Sequence, residues 1–289
     1  MVAYRFYTHP HLGDYVILTG AVHNIKKARP DVVFALPEKY QEVYENNRDF
    51  AKSPVLIRDM GKVVYGNLEA EKQALYGNVV EGFTLCLCKL LNLQPVPIIT
   101  RKPKIVLSKE EREYTKQFEN AIVLNANCQT CTISKGYPHW QRVVDELSKD
   151  YRIIQVGGNC PKDLTLDLSG VEDYRGKTTI RQLFSMIYGC KGVVSPPSSF
   201  SNIAGAFDKP QIILNAGREA DRLTDYENVT HISHKAQCGW GVSNGCVSLH
   251  ITGNRICPDT ILQGGRTWCR CQWETPPETI IEAVKSRIY

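Results

Sequence analysis

Five of the eleven cysteines in this 289-residue chain lie close together near its carboxyl end. They are Cys238, Cys246, Cys257, Cys269 and Cys271. The segment around them is rich in Gly, Asn and Pro and has few large apolar side chains, so a core of its own would hardly order it. Thiolates bound to a soft cation would order such a segment. Buried thiols that bind nothing are the alternative, because the spacing is not a pair of CxxC motifs.

A carboxylate occupies the place where open α/β sheets bind ligands. Asp14 comes just after the first predicted strand and opens the first predicted helix. It could act as a general base toward a ligand, or it could cap the helix. Gly13 allows a tight turn before it, and His9 and His11 flank it.

A polar loop before a helix in the second half of the chain offers groups that bind anions. Thr132 and Lys135 lie in this loop, just before a helix predicted over residues 140–149. Hydroxyls, a lysine and a helix N-terminus together attract phosphate groups. A solvated loop that merely caps the helix is the alternative.

Two further turns follow predicted strands in the same half. Gly157 belongs to a Gly-Gly pair, which permits close approach of a ligand to the backbone but is also common in ordinary turns. Ser198, Ser199 and Asn202 lie where a strand joins a helix. Their side chains could bind a diphosphate at the helix N-terminus, although a plain cap needs only one of them.

These segments must be positioned by alternating strands and helices. A strand over residues 3–7, a helix over 15–27 and a strand over 32–36 form a β-α-β unit, and a second α/β series follows a linker near Pro103. Strand–helix alternation in each half predicts two parallel sheets. A last helix over residues 278–288 begins after two prolines.

Composition narrows the function classes. Apolar content of 43% and charged content of 22% indicate a globular chain, and a net charge of +5 suits an anionic partner. Neither a GxGxxG nor a GxxxxGK[ST] motif occurs, which argues against a dinucleotide dehydrogenase and a P-loop NTPase. We expect a cytoplasmic protein with no secretory signal and no transmembrane segment, whose thiols are reduced or bound to metal.

At these motifs the chain resembles glycosyltransferase family 9, the ADP-heptose:lipopolysaccharide heptosyltransferases. The segments LGDYVILTGAVHNIKKARPDVVFAL, KGYPHWQRVVDEL and the long stretch from LDLSG to PQIIL carry this resemblance. It implies two Rossmann-like domains facing a cleft, the GT-B fold, with Asp14 catalytic and Lys135 on a phosphate. Ser198 matches the family's serine, whereas Pro197 and Asn202 replace its Asp and His.

The resemblance also implies domain limits. Residues 1–103 would form an acceptor domain and residues 104–275 a nucleotide-sugar domain. The final segment, 276–289, would return to the N-terminal domain. Donor contacts are expected from the residues Thr132, Lys135, Gly157, Ser198, Ser199 and Asn202, and acceptor contacts from His9, His11 and Gly13.

Protein-modifying and phage-type relatives carry a cysteine finger that resembles residues 235–273 of this chain. By that resemblance Cys238, Cys246, Cys257 and Cys271 would bind one structural zinc or iron ion, with Cys269 as the alternative fourth ligand. No catalytic metal is expected.

The expected activity is inverting transfer of a heptose or hexose from a nucleotide diphosphate, with ADP-sugar favoured over UDP-sugar. The favoured acceptor is lipopolysaccharide core or another glycan. Alternative acceptors are a protein or hydroxymethylated phage DNA. Peripheral contact with a membrane would be compatible with a lipopolysaccharide acceptor. A different class of hypothesis is a non-catalytic nucleic-acid-binding or scaffold protein with a zinc finger.

Overall fold

Two parallel sheets, each with its own helices, form the body of the protein in a computed structural model. A four-stranded sheet and its helices make the N-terminal half, and a six-stranded sheet and its helices make the C-terminal half. The structure describes residues 2–9, 11–52, 56–63, 77–126, 135–158, 166–215, 221–233 and 259–288.

The N-terminal half follows the predicted β-α-β pattern. Its sheet has the strand order β3-β2-β1-β4 and all pairs are parallel. Its elements are β1 (Val2–Tyr7), α1 (Leu12–Ala28), β2 (Phe34–Ala35), a 3-10 helix (Gln41–Tyr44), β3 (Phe50–Ala51), β4 (Leu56–Lys62) and α2 (Val79–Leu90).

Helix α1 is buried along most of its length because it packs on α2 and under the linker that follows. Leu18, Val22 and Ile25 are all at most 1% exposed. Gly20 lies so close to the linker that an added Cβ would meet the Lys102 carbonyl oxygen at 2.4 Å. Only a glycine therefore lets the linker cross α1 at this point.

The C-terminal half has the strand order β10-β9-β8-β5-β6-β7, again all parallel. Its strands are β5 (Ala121–Leu124), β6 (Arg152–Gln155), β7 (Glu172–Asp173), β8 (Gly192–Ser195), β9 (Gln211–Asn215) and β10 (Val229–Ser233). Its helices are α3 (Lys109–Tyr114), α4 (Trp140–Leu147), α5 (Ile180–Gly189) and α6 (Ser199–Ala206).

Strand β5 lies at the point where the strand order of this sheet reverses. The chain continues from β5 to β6 on one side, whereas β8 and β9 extend the sheet on the other. In open α/β sheets such a reversal point is where ligands bind, in the crevice outside the carboxyl ends of the strands. The central strands are buried on both faces, as a parallel sheet covered by helices requires.

A buried amide holds the linker to the N-terminal half. Asn24 on α1 is fully buried, and its Oδ1 accepts hydrogen bonds from the backbone N–H groups of Ile99 (3.1 Å) and Thr100 (2.9 Å). Its Nδ2 donates to the Thr100 carbonyl at 2.9 Å. The side chain thus satisfies backbone groups of the linker that would otherwise lack partners.

The chain ends in a hairpin and two helices: β11 (Thr260–Gln263), β12 (Arg266–Cys269), α7 (Arg270–Glu274) and α8 (Pro277–Arg287). The predicted last helix is present, but the prediction that it returns to the N-terminal domain is wrong. Its buried side chains Ile280 and Val284 pack in the core of the C-terminal half, against α4 and β9. The described helices include none that is both long enough and apolar enough to cross a membrane.

The predicted metal site is contradicted. Among the described residues, no group of three or more His, Cys, Asp or Glu side chains could hold a metal ion. Cys269 and Cys271 are 1% and 5% exposed, in the packing around the short helix α7. Cys238, Cys246 and Cys257 lie outside the described residues. Of the five clustered cysteines, the two that the structure describes are therefore buried in packing.

One arginine joins the two halves. Arg181 on α5 donates to Glu111 Oε1 at 2.6 Å and to the carbonyl oxygens of Val106 (2.8 Å) and Glu42 (3.1 Å). Its side chain is 11% exposed and that of Glu111 19%. Burial raises the pKa of Glu111, but Arg181 and the Ser108 N–H lower it more, so the pKa lies below its ordinary value.

We expect Arg181→Met to lower the free energy of unfolding by about 3 kcal/mol, because it leaves a largely buried carboxylate without its cation. Arg142→Met is the matched control. Arg142 pairs with Glu278 in solvent, at 69% exposure, so its loss should change stability by at most about 0.5 kcal/mol.

The ion pair between Arg181 and Glu111 also makes the free energy of unfolding depend on pH. Because the folded pKa of Glu111 is depressed, its contribution is present above the ordinary pKa of 4.5 and is lost as the pH falls through the folded pKa. Urea unfolding at several pH values should show the wild type and Arg181→Met converging below about pH 4. A constant difference down to pH 3 would contradict the assignment.

Candidate active site

A cavity of about 400 Å³ lies between the two halves, in the crevice beside β5 and β8. The first residues of four helices line it: Leu12 of α1, Val79 of α2, Ile180 of α5 and Ser199 of α6. Helix N-termini carry partial positive charge and unpaired N–H groups, so this cavity favours an anionic ligand.

The amides of two of these helix ends are already satisfied by their own side chains. Asn78 and Glu81 form a capping box at the start of α2, and Thr179 and Gln182 form one at the start of α5. A capping box consumes the N–H groups that a ligand would otherwise bind. At α6 the Ser198 N–H is likewise satisfied by Ser201 Oγ, whereas α1 has no side-chain cap. The starts of α1 and α6 therefore leave more N–H groups for a ligand than those of α2 and α5.

Asp14 lies in the first turn of α1 and lines the cavity at 9% exposure. A tight turn presents it there: the Asp14 N–H donates to the His11 carbonyl at 3.1 Å, and the His11 N–H donates to the His9 carbonyl at 2.8 Å. A largely buried carboxylate on a cavity wall can accept a proton from a bound hydroxyl.

Gly13 brings this wall against the other half. A Cβ added to Gly13 would lie 3.1 Å from Asn202 Nδ2 and 3.3 Å from Ser199 Cα. The N-termini of α1 and α6 therefore meet at the cavity, and a side chain at position 13 would separate them.

The start of α6 offers an unused hydroxyl. Ser201 Oγ accepts from the Ser198 N–H at 3.1 Å and donates to the Ser198 carbonyl at 2.7 Å. Ser198 Oγ itself is buried and has no hydrogen-bond partner within the described residues. Ser198 and Ser199 both line the cavity, so this hydroxyl belongs to a residue of the cavity wall.

Lys135 places a cation beside this helix end. Its Nζ donates to the carbonyl oxygen of Pro197 at 2.7 Å, directly before Ser198. Lys135 and Pro197 both line the cavity. The lysine therefore stands at the α6 N-terminus and also fixes the turn that leads into the helix.

Asn202 has a structural partner as well as a place on the cavity wall. Its Oδ1 accepts a hydrogen bond from the Tyr226 hydroxyl at 2.8 Å, and it is 7% exposed. Burial raises the pKa of Tyr226 well above its usual value, so the phenol remains protonated and donates.

The other predicted site residues divide into three groups. Gly157 and His11 line the cavity. His9 is exposed and is not among the described lining residues. Its pKa is lowered by partial desolvation of the imidazole and by the nearby Lys62 and His11. Thr132 lies outside the described residues.

Sequence reasoning missed Asn125, Tyr40 and Thr179, which also line the cavity. Asn125 could have been found, because a polar residue directly after a wholly apolar strand in an α/β sheet marks the carboxyl edge. Tyr40 reaches the cavity from a left-handed backbone position with φ 54°, for which the sequence carries no clear signal.

No family model matches this chain, and no curated protein matches it. Solved structures do. E. coli ADP-heptose LPS heptosyltransferase II is 12% identical, with a TM-score of 0.66 over 99% of this chain and 98% of that one. A glycosyltransferase family 9 structure from Veillonella parvula is 12% identical, with a TM-score of 0.64 over 99% and 97%.

E. coli heptosyltransferase WaaC with ADP is 17% identical, with a TM-score of 0.54 over 88% of this chain and 98% of that one. At these identities the similarity is one of fold. The predicted two-sheet α/β architecture is confirmed as the fold of the heptosyltransferase structures.

We expect Gly13→Ala to destabilise the protein by about 1–3 kcal/mol, because the new methyl group forces α1 away from α6. Gly157→Ala is the control in the same cavity, since its added Cβ meets only Arg175 Cγ, at an ordinary 3.7 Å. Thermal unfolding of both variants is the measurement. Equal melting temperatures would show that the helix ends do not pack closely.

Proposed function

We propose that this protein is an inverting glycosyltransferase whose donor is a nucleotide-diphosphate sugar. The observation that carries the proposal is the meeting of two helix N-termini at one cavity, with the carboxylate of Asp14 on one and, on the other, the hydroxyl of Ser198, which has no partner among the described residues. An anion site beside a general base suits a reaction in which a charged group leaves while a hydroxyl loses its proton and attacks.

The donor would bind the C-terminal half. Lys135, Ser198 and Ser199 would hold the diphosphate, since a lysine, a hydroxyl and a helix N-terminus all donate toward anionic oxygens. Thr132, Gly157 and Asn202 complete the proposed donor contacts. An ADP-sugar is favoured over a UDP-sugar, because the similar structures are named for ADP-heptose or contain ADP.

The reaction would be a single displacement. Asp14 takes the proton of the acceptor hydroxyl as that oxygen bonds to the anomeric carbon of the sugar. The bond between that carbon and the diphosphate oxygen breaks, and its electron pair leaves on the nucleoside diphosphate. Lys135 and the α6 N-terminus stabilise the charge that develops there. One displacement inverts the anomeric configuration.

The acceptor would approach from the N-terminal half, past Gly13, His11 and His9. We propose residues 1–103 as the acceptor domain and residues 104–275 as the donor domain of a cytoplasmic enzyme. A lipopolysaccharide core sugar or another glycan is the favoured acceptor. Protein hydroxyls and hydroxymethylated DNA are the other acceptors to assay.

Binding and transfer can be tested separately. Titration calorimetry with ADP-, UDP- and GDP-sugars identifies the nucleotide, and release of free nucleoside diphosphate in the presence of each acceptor class reports transfer. The absence of binding by any nucleotide sugar would overturn the proposal.

Asp14→Asn should lower the rate of transfer by a factor of about 10² or more while leaving donor affinity within about twofold. The amide keeps the size of the side chain but cannot accept a proton. Asp31→Asn, at an exposed surface ion pair with Arg29, is the control and should turn over normally. Single-turnover assays and calorimetry give both values, and normal turnover by Asp14→Asn would limit that residue to a structural role.

Lys135→Met should weaken nucleoside diphosphate binding about tenfold to a hundredfold, since a charge-assisted hydrogen bond contributes roughly 1.5–3 kcal/mol. Lys149→Met is the control, because Lys149 pairs with Glu146 on the surface, at 65% exposure. Equal nucleotide affinities of the two variants in calorimetry would remove Lys135 from the donor site.

A further inference from the structure

Asn125 is a residue of the cavity wall that carries a buried acceptor without a donor among the described residues. It directly follows β5, and its N–H donates to the Val194 carbonyl of β8 at 2.9 Å, which fixes its backbone at the reversal point of the sheet. The residue is 2% exposed and lines the cavity. Its Oδ1 has no hydrogen-bond partner in the part of the chain that the structure describes.

A buried carbonyl oxygen without a donor is rare in folded proteins and destabilises the ligand-free state. A ligand that supplies a donor removes this penalty. The diphosphate cannot be that ligand group, because at neutral pH its oxygens are acceptors only. The matching group is a neutral hydroxyl or N–H.

The position of Asn125 indicates which part of the proposed donor it would contact. Strand β5 is hydrogen-bonded to β8, and the chain leaves β8 toward Ser198 at the α6 N-terminus, where Gly13 brings up the wall that carries Asp14. The proposed diphosphate site at the α6 N-terminus and the base Asp14 therefore lie close together, on opposite sides of the crevice at the carboxyl end of β5. The reacting sugar must lie between them, and it carries several hydroxyls.

We propose that Asn125 Oδ1 accepts a hydrogen bond from a hydroxyl of the transferred sugar, which makes Asn125 a specificity-determining residue. This inference rests on the proposed function. A buried polar group that needs a partner discriminates strongly against a substrate that lacks the matching hydroxyl. The enzyme should therefore reject the donor that is deoxygenated at that position more than donors altered elsewhere.

The test compares two ligands, ADP and the nucleotide sugar that the wild type binds most tightly. In calorimetry, Asn125→Ala should weaken binding of the nucleotide sugar about tenfold and leave the affinity for ADP within twofold of the wild-type value. Asn125→Asp should keep most of the sugar affinity, because a carboxylate oxygen still accepts from a hydroxyl. Thermal unfolding of ligand-free Asn125→Ala should be no lower than that of the wild type, since the substitution removes an unsatisfied acceptor.

Ser195→Ala is the matched control. Ser195 ends the neighbouring strand β8, is fully buried and also has an unpartnered hydroxyl within the described residues, but it is not among those that line the cavity. Its substitution should change neither affinity.

Three outcomes would overturn the assignment of Asn125 alone. If Asn125→Ala lowers the affinities for ADP and for the nucleotide sugar equally, Asn125 contacts the nucleotide. If Asn125→Asp loses more affinity than Asn125→Ala, the amide N–H binds a phosphate. If neither affinity changes, Asn125 does not contact the ligand. Failure of the wild type to bind any nucleotide or nucleotide sugar would instead overturn the proposed function.

Discussion

The close approach of two helix N-termini is the constraint on which the site depends. Gly13 on α1 lies against Ser199 and Asn202 at the start of α6, so closely that an added Cβ would lie only 3.3 Å from Ser199 Cα. Helix ends of the same sign repel each other unless negative charge lies between them. Asp14 supplies part of that charge from within the chain. A diphosphate bound at α6 would supply the rest, so the packing of the two halves itself favours an anionic ligand.

Contacts far from the cavity hold the two helix ends in place. Asn24 binds the linker to α1, Gly20 lets the linker cross that helix, and Arg181 joins α5 to carbonyl groups of both halves. These contacts satisfy backbone and carboxylate groups that would be costly to bury unpaired. The relative position of Asp14 and Ser198 is therefore set by buried polar contacts as well as by apolar packing.

Periodicity predicted most of the elements, because a buried strand and an amphipathic helix each impose a local pattern on the sequence. The boundaries shifted where tertiary contacts override that pattern. A strand is predicted over residues 32–36, but β2 is limited to Phe34–Ala35, the stretch that pairs with β1 and β3. The final helix was predicted correctly as a helix, while its packing partner was not, since several apolar surfaces could have received Ile280 and Val284.

The sequence alone identified candidate site residues next to the ends of strands and helices: a carboxylate after β1, a lysine before α4 and serines before α6. Each follows from a short segment read alone. Tertiary structure decided which of them share one cavity, because that depends on strand order and on the contact at Gly13. It brought in Asn125 and Tyr40, left His9 outside, and contradicted the metal site. The spacing of cysteines gives their separation in sequence, whereas a metal ion requires several thiols close together in space. Only the folded backbone determines that distance.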